Sequence, residues 1–164
     1  MGMVVNNREL TSLVEADRRA GRTVGFANGC FDVLHVGHVR YLEGAAREAD
    51  RLIVAVNDDG SVAPLKGPGR PILPAAARAE LLAAMRCVDY VIVFSEPTVE
   101  RLLTALRPDV HCKGTDYTVD TVPEREVVRR YGGRIAIVGD PKHHATRDLL
   151  ARVARVDPPP GPSR

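Results

Sequence analysis

The sequence has no tryptophan, and four tyrosines and three phenylalanines bring its aromatic content to only 4% of 164 residues. Platforms that stack single-stranded nucleic acid need more aromatic surface than this. An excess of one charge is also missing. The 23 lysines and arginines face 21 aspartates and glutamates, a formal net charge of +2, and the basic residues are scattered rather than grouped. A nucleic-acid face built on charge is therefore excluded. No apolar run approaches the ~18 residues of a membrane span and no signal-peptide pattern is present, so a cytoplasmic protein is expected. The three cysteines, Cys30, Cys87 and Cys112, form no C-x-x-C pair and read as small buried hydrophobes in a reducing compartment. Neither G-x-G-x-x-G nor a Walker A loop occurs, which removes hydride transfer on a dinucleotide and P-loop chemistry. There is no internal repeat.

What is present centres on residues 26–40, FANGCFDVLHVGHVR. An apolar strand at 23–27 runs into Asn28-Gly29 and stops. After a short connection, His35-Val36-Gly37-His38 opens a segment with apolar or small residues at Val36, Val39, Leu42, Ala46 and Ala49, the rhythm of a helix. Two histidines three apart share one face of its first turn. That turn also offers unpaired N–H groups and the positive end of the helix dipole. Gly37 leaves the backbone open to a ligand. Imidazole donors, free amides and little side-chain bulk make a site for polyphosphate. Zinc fits less well, because helical ligand pairs are usually four apart and no cysteine or carboxylate cluster completes a set.

NGCFD-x-L-H-x-G-H resembles the signature of the cytidylyltransferase-like nucleotidyltransferases, and in its fuller form that of bacterial heptose-1-phosphate adenylyltransferases. The likeness spans about residues 22–153. It implies an α/β, Rossmann-like, doubly wound five-stranded parallel sheet and a homodimer. It also implies transfer of AMP from ATP, bound with Mg²⁺, to a heptose 1-phosphate, with other nucleotides (CTP or GTP), other acceptors (glycerol phosphate, ethanolamine phosphate, FMN) or mere nucleotide binding as alternatives. Ala27, Asn28, Gly29, Cys30, Phe31, His35, Gly37 and His38 would surround the nucleotide. Asp32 would contact the acceptor sugar or the metal.

Downstream, residues 51–57 (RLIVAVN) form the clearest strand, and strand, helix, strand makes one right-handed crossover. A long loop, 57–74, carries Lys66 in Leu65-Lys66-Gly67-Pro68-Gly69-Arg70-Pro71, similar to the family's L-K-G-x-x-R-P. Loops of this length are often functional, and this one reads as a flap that brings Lys66 onto phosphate. A helix at 74–87 turns Leu81, Leu82 and Met85 to the core and carries Arg78, which by resemblance helps hold phosphate. A strand at 90–94 and a helix at 98–107, capped by Thr98, precede a strand at 110–114. The latter leads into Lys113-Gly114-Thr115-Asp116-Tyr117, similar to the family's K-G-x-D-Y. A lysine at the carboxyl end of a strand sits where open α/β sheets bind ligands. Lys113 is expected on phosphate, and Asp116 and Tyr117 on the substrate. A helix at 121–131 and a strand at 134–138 follow. At the last junction the family has S-T-T where this chain has Ala145-Thr146-Arg147, so Thr146 matches and Arg147 puts a charge in place of a hydroxyl. His143 and His144 precede it, a final helix runs to about 155, and the single domain (1–156) ends in a disordered proline-rich tail, 157–164. No Ser-His-Asp or Cys-His set accompanies H-x-G-H, which suits transfer to an acceptor that is already an anion.

Overall fold

The computed structural model describes residues 1–141 and 145–156. In order they form β1 (Met3–Val4), α1 (Asn7–Arg19), β2 (Val24–Gly29), α2 (Val36–Ala46), β3 (Arg51–Asn57), α3 (Asp59–Lys66), α4 (Ala75–Ala83), β4 (Tyr90–Phe94), α5 (Glu100–Leu106), β5 (Val110–Gly114), α6 (Arg125–Arg130), β6 (Arg134–Val138) and α7 (Thr146–Val153). All strands pair in parallel in one sheet of order β1-β4-β3-β2-β5-β6. The sheet has six strands rather than five. The extra strand, Met3–Val4, is an edge pair beside Tyr90 and Val91, too short for a period to show in sequence.

The middles of β3 and β4 are apolar on both sides because helices cover both faces of the sheet. Side-chain alternation sorts β3 between them. Leu52, Val54 and Val56 pack with Leu42 and Leu82 on one face, while Ile53 and Ala55 pack with Leu10, Phe26 and Leu103 on the other. Close backbone approach matters at Gly44 of α2, where a Cβ would lie 3.1 Å from Gly139 N and from Val138 Cβ. The base of the sheet is tied by Asp17. Its carboxylate accepts from Tyr90 Oη at 2.6 Å and from Arg22 at 2.9 Å. Burial pushes that carboxyl up, but the bonds from Tyr90, Arg22 and Arg51 outweigh burial and hold it below its ordinary value.

Several helices differ from expectation. The 57–74 segment is not all loop, since α3 occupies Asp59–Lys66. Asp58 caps it by accepting from Ser61 N at 2.8 Å, and Pro64 inside it removes a single ladder bond. Leu82 is fully buried and Met85 partly so, but Leu81 is 46% exposed, because α4 buries the face that carries Arg78, Ala79, Leu82 and Ala83 and turns Leu81 to solvent. Thr98 caps nothing: α5 starts at Glu100 behind Val99, with no side-chain cap. The segment expected as a helix at 121–131 is helical only over Arg125–Arg130. His143, His144 and the tail at 157–164 lie outside the described residues. Among the described residues no helix is long and apolar enough to cross a membrane.

Candidate active site

The strand order reverses between β2 and β5. One half of the sheet extends from β2 through β3 and β4, the other from β5 to β6. Such a switch point opens a crevice beyond the carboxyl ends of the strands. The crevice here is a cleft of about 930 Å³.

The β2–α2 turn forms its floor. Phe31 and Val33 take left-handed backbone conformations, with φ of 49° and 61°. For non-glycine residues these are strained, by ~1–3 kcal/mol each, and they persist only where neighbours over-determine them. Asp32, between the two, supplies that constraint. Its carboxylate accepts from Arg70 Nε at 2.6 Å, from Ile72 N at 2.8 Å and from Leu73 N at 3.0 Å. From the other side Thr146 Oγ1 donates to Asp32 O at 3.2 Å. Burial raises the Asp32 carboxyl, but the amides of Leu73 and Ile72 and the Arg70 guanidinium outweigh it and hold the group below its usual value. Asp32 was expected to face the acceptor sugar or a metal. Its side chain, 1% exposed, is instead taken up in clamping the 70–73 segment over the turn.

His35 is the N-cap of α2. Its Nδ1 accepts from Gly37 N at 3.1 Å, and His38 Nδ1 accepts from His35 N at 3.3 Å, a capping box made of two imidazoles. A neutral imidazole that accepts at Nδ1 carries its proton on Nε2. Backbone capping thus selects the same tautomer in both rings, whose centroids lie 4.0 Å apart. Each ring carries its proton on Nε2, and both rings line the cleft.

Asn28, Gly29, Cys30, Phe31, Gly37, Lys66, Lys113, Asp116, Tyr117, Thr146 and Arg147 also line it, so the tertiary fold brings nearly all the sequence candidates together. Lys113 Nζ lies 4.8 Å from the centre of the Tyr117 ring and 3.8 Å from Glu124 Oε2. Asn28 Oδ1 is buried without a hydrogen-bond partner among the described residues. Cys30 lies 3.7 Å from Asn57 Oδ1, and burial pushes its thiol up, away from nucleophilic thiolate chemistry.

Two candidates lie elsewhere. Ala27 is fully buried behind the cleft, facing the sheet's own core. Arg78 has 0% exposure and does not reach the cleft wall. Its guanidinium donates to Leu73 O (2.9 Å), Cys30 O (2.6 Å), Asn57 O (2.7 Å) and Asp59 Oδ1 (2.7 Å). A group with its donors so committed fastens three segments together rather than gripping a ligand.

The cleft also uses residues that sequence reading passed over. Arg70 was visible in the L-K-G-x-x-R-P pattern, but its partner across the cleft was not. Arg40 pairs with Asp140 at 2.8 Å on the rim, while Thr115 Oγ1 donates to Asp140 O at 2.8 Å. Neither contact has a sequence signal, since each joins residues far apart in the chain. Among the described residues no group of three His, Cys, Asp or Glu could hold a metal ion.

The chain resembles the bifunctional protein HldE of Syntrophotalea carbinolica, with 46% identity over 144 residues, 88% of this chain and 29% of that one. It is likewise 46% identical over 152 residues to the bifunctional protein HldE of Azotobacter vinelandii, covering 93% of this chain and 32% of the relative. It thus spans about a third of the length of the curated relatives it matches. A crystal structure of the lipopolysaccharide core biosynthesis protein from Thermoplasma volcanium superposes with a TM-score of 0.63 and 25% identity, over 74% of this chain and all of the other. The cytidylyltransferase-like family model matches residues 26–154, from the strand ahead of the paired histidines to the end of α7. With that match over most of its length, and with the histidine-capped turn at its switch point, the chain belongs to the cytidylyltransferase-like family.

Proposed function

We propose that the cleft transfers a nucleotidyl group from ATP to a sugar 1-phosphate, a heptose 1-phosphate in the first instance. The observation that carries this reading is the double imidazole cap, which sets two Nε2–H donors on a cleft that Lys66, Lys113 and Arg147 also line. The relatives named bifunctional protein HldE support the heptose acceptor, as does the likeness to a lipopolysaccharide core biosynthesis protein.

The acceptor brings its own nucleophile. A phosphate oxygen of the sugar phosphate attacks the α-phosphorus in line. A new P–O bond forms there, and the bond to the bridging oxygen breaks, so pyrophosphate leaves with the electron pair. No general base is needed, and catalysis reduces to positioning and charge stabilisation. His35 and His38 donate to the triphosphate, Lys66 and Lys113 offset its charge, and Arg147 at the start of α7 reaches the phosphates. Asp116 and Tyr117 face the acceptor. The described residues offer Mg²⁺ no ligand set of their own, so the ion would come with the nucleotide and would offset charge on the leaving group. Asp32, bound by three N–H groups, holds the 70–73 segment rather than the ion. By resemblance the working unit is a homodimer.

Pyrophosphate release, measured with a panel of nucleoside triphosphates against sugar 1-phosphates, tests the reading. ATP with heptose 1-phosphate should exceed CTP or GTP by at least about tenfold in kcat/KM, roughly 1.4 kcal/mol of discrimination. A preference for CTP or GTP replaces the base and keeps the reaction class. Use of glycerol phosphate, ethanolamine phosphate or FMN in place of any sugar 1-phosphate sinks the acceptor. No turnover with any pair leaves a nucleotide-binding module.

A further inference from the structure

Behind Lys113 lies a buried polar group that the proposed reaction does not use. His111 and Lys113 are alternate residues of β5, so both side chains emerge on one face of the sheet. Glu124, the residue that precedes α6, closes over that face. Its Oε2 is 3.4 Å from His111 Nε2 and 3.8 Å from Lys113 Nζ. All three residues are buried: His111 at 0% exposure, Lys113 and Glu124 at 8%. A carboxylate in such a place is costly unless it is paired and hydrogen-bonded. Here it is both, with an Nε2–H donor on one side and an ammonium on the other.

The two partners are not equivalent. His111 is sealed in the core against Phe26, with ring centroids 5.8 Å apart, and among the described residues its Nδ1 makes no hydrogen bond of good geometry. It can orient Glu124 but does not line the cleft. Lys113 lines the cleft, and its 3.8 Å separation from Glu124 exceeds a direct hydrogen bond. Tyr117 flanks the same ammonium with its ring face. Fixed from below by His111, the carboxylate therefore confines the ammonium at the cleft wall and leaves it N–H groups for a ligand.

We infer that Glu124 is a positioning residue, which through its ion pair holds the Lys113 ammonium at the place where the transferred phosphate develops charge. This rests on the reading of Lys113 given above. Burial raises the Glu124 carboxyl, but His111 and Lys113 together outweigh burial and keep it below its ordinary value, so it is an anion wherever the protein is folded near neutrality. Burial lowers His111 more than Glu124 raises it, so His111 is neutral and the charge pair is Glu124 with Lys113.

The test is a double-mutant cycle on the full chain, read both as thermal midpoint and as kinetics. Glu124→Gln keeps the shape and an oxygen for His111 while removing the charge. Its kcat should fall roughly tenfold, the low end of what misplacing a positioned group costs, with KM for ATP within a factor of about two. In a Lys113→Met background, Glu124→Gln should change the residual kcat by less than about twofold. There it should raise the midpoint, because it removes a buried anion left without its cation. Wild-type kcat in Glu124→Gln beside a defective Lys113→Met would overturn this inference alone. So would a midpoint that falls by the same amount in both backgrounds. Wild-type kcat in Lys113→Met would remove Lys113 from the reaction and Glu124 with it, whatever the midpoints show.

Discussion

Replacing Arg78 with methionine separates two roles that the sequence leaves open. In the structure the guanidinium is wholly buried and donates four hydrogen bonds, three of them to the main-chain carbonyls of Cys30, Asn57 and Leu73. These carbonyls belong to the β2–α2 turn, the end of β3 and the approach to α4, so one side chain joins three segments around the cleft. Methionine fills much of the volume but donates nothing. A buried carbonyl left without a donor costs about 1–3 kcal/mol, the bond to Asn57 is buried, and those to Cys30 and Leu73 are partly so. Partial relaxation and water entry favour the lower part of the summed range, an expected loss of about 3–5 kcal/mol. The fourth partner, Asp59, is 51% exposed and is re-solvated at little cost. Against a total of roughly 5–15 kcal/mol for a domain, this leaves the fold marginal. With no tryptophan to report, the assay is urea unfolding followed by far-ultraviolet circular dichroism. At an m-value of about 1–3 kcal/mol/M the midpoint should move down by about 2 M. Arg78→Lys, a point charge with no planar fork, should fall between. A phosphate-holding arginine predicts the opposite pattern. An unchanged urea midpoint with a raised KM for ATP would refute the structural role.

Three further outcomes are expected. His35→Asn should keep α2 capped, because asparagine is a favoured N-cap. It should lose the Nε2–H donor, so turnover falls by about 10²-fold with the thermal midpoint little changed, and a wild-type rate would remove His35 from the chemistry. Asp32→Asn should flatten the acid limb of stability. A carboxyl held below its unfolded value adds stability that is present above the unfolded value and is lost as pH falls through the folded one, so wild type should outlast the variant near neutrality and converge with it in acid. Parallel curves in urea titrations from neutral pH down to acid would contradict this. Cys112, fully buried with its thiol pushed up to about 12, should resist iodoacetamide at pH 8 in the folded protein and label only with unfolding. Rapid labelling of the native chain at that position would show that β5 opens locally.

The order of strands and helices was legible in the sequence because local chemistry writes it. Residues 51–57, 90–94 and 134–138 are largely apolar runs, 110–114 lies between Pro108 and the K-G-x-D-Y turn, and the strands fall at those positions. The turn with paired histidines was legible for the same reason: strand end, glycine and helix start are neighbours in the chain, and both imidazole contacts span three residues or fewer. Features set by distant contacts were not. The two-residue β1 exists only because β4 offers it an edge. Asp32 looked like a ligand until Arg70, Ile72 and Leu73, about forty residues on, occupied its oxygens. Arg78 likewise looked like a phosphate grip until three carbonyls from other segments claimed its donors. Glu124 gave no signal, for its partners lie on a strand thirteen and eleven residues earlier that only the fold turns toward it. Propensity and spacing act over a few residues, and so the sequence by itself determined most of the strands and helices and the turn where strand end, glycine and paired histidines meet. Whether a charged side chain faces a ligand or the protein depends on which groups long-range packing places within about 3 Å of it, and that only the tertiary structure decided.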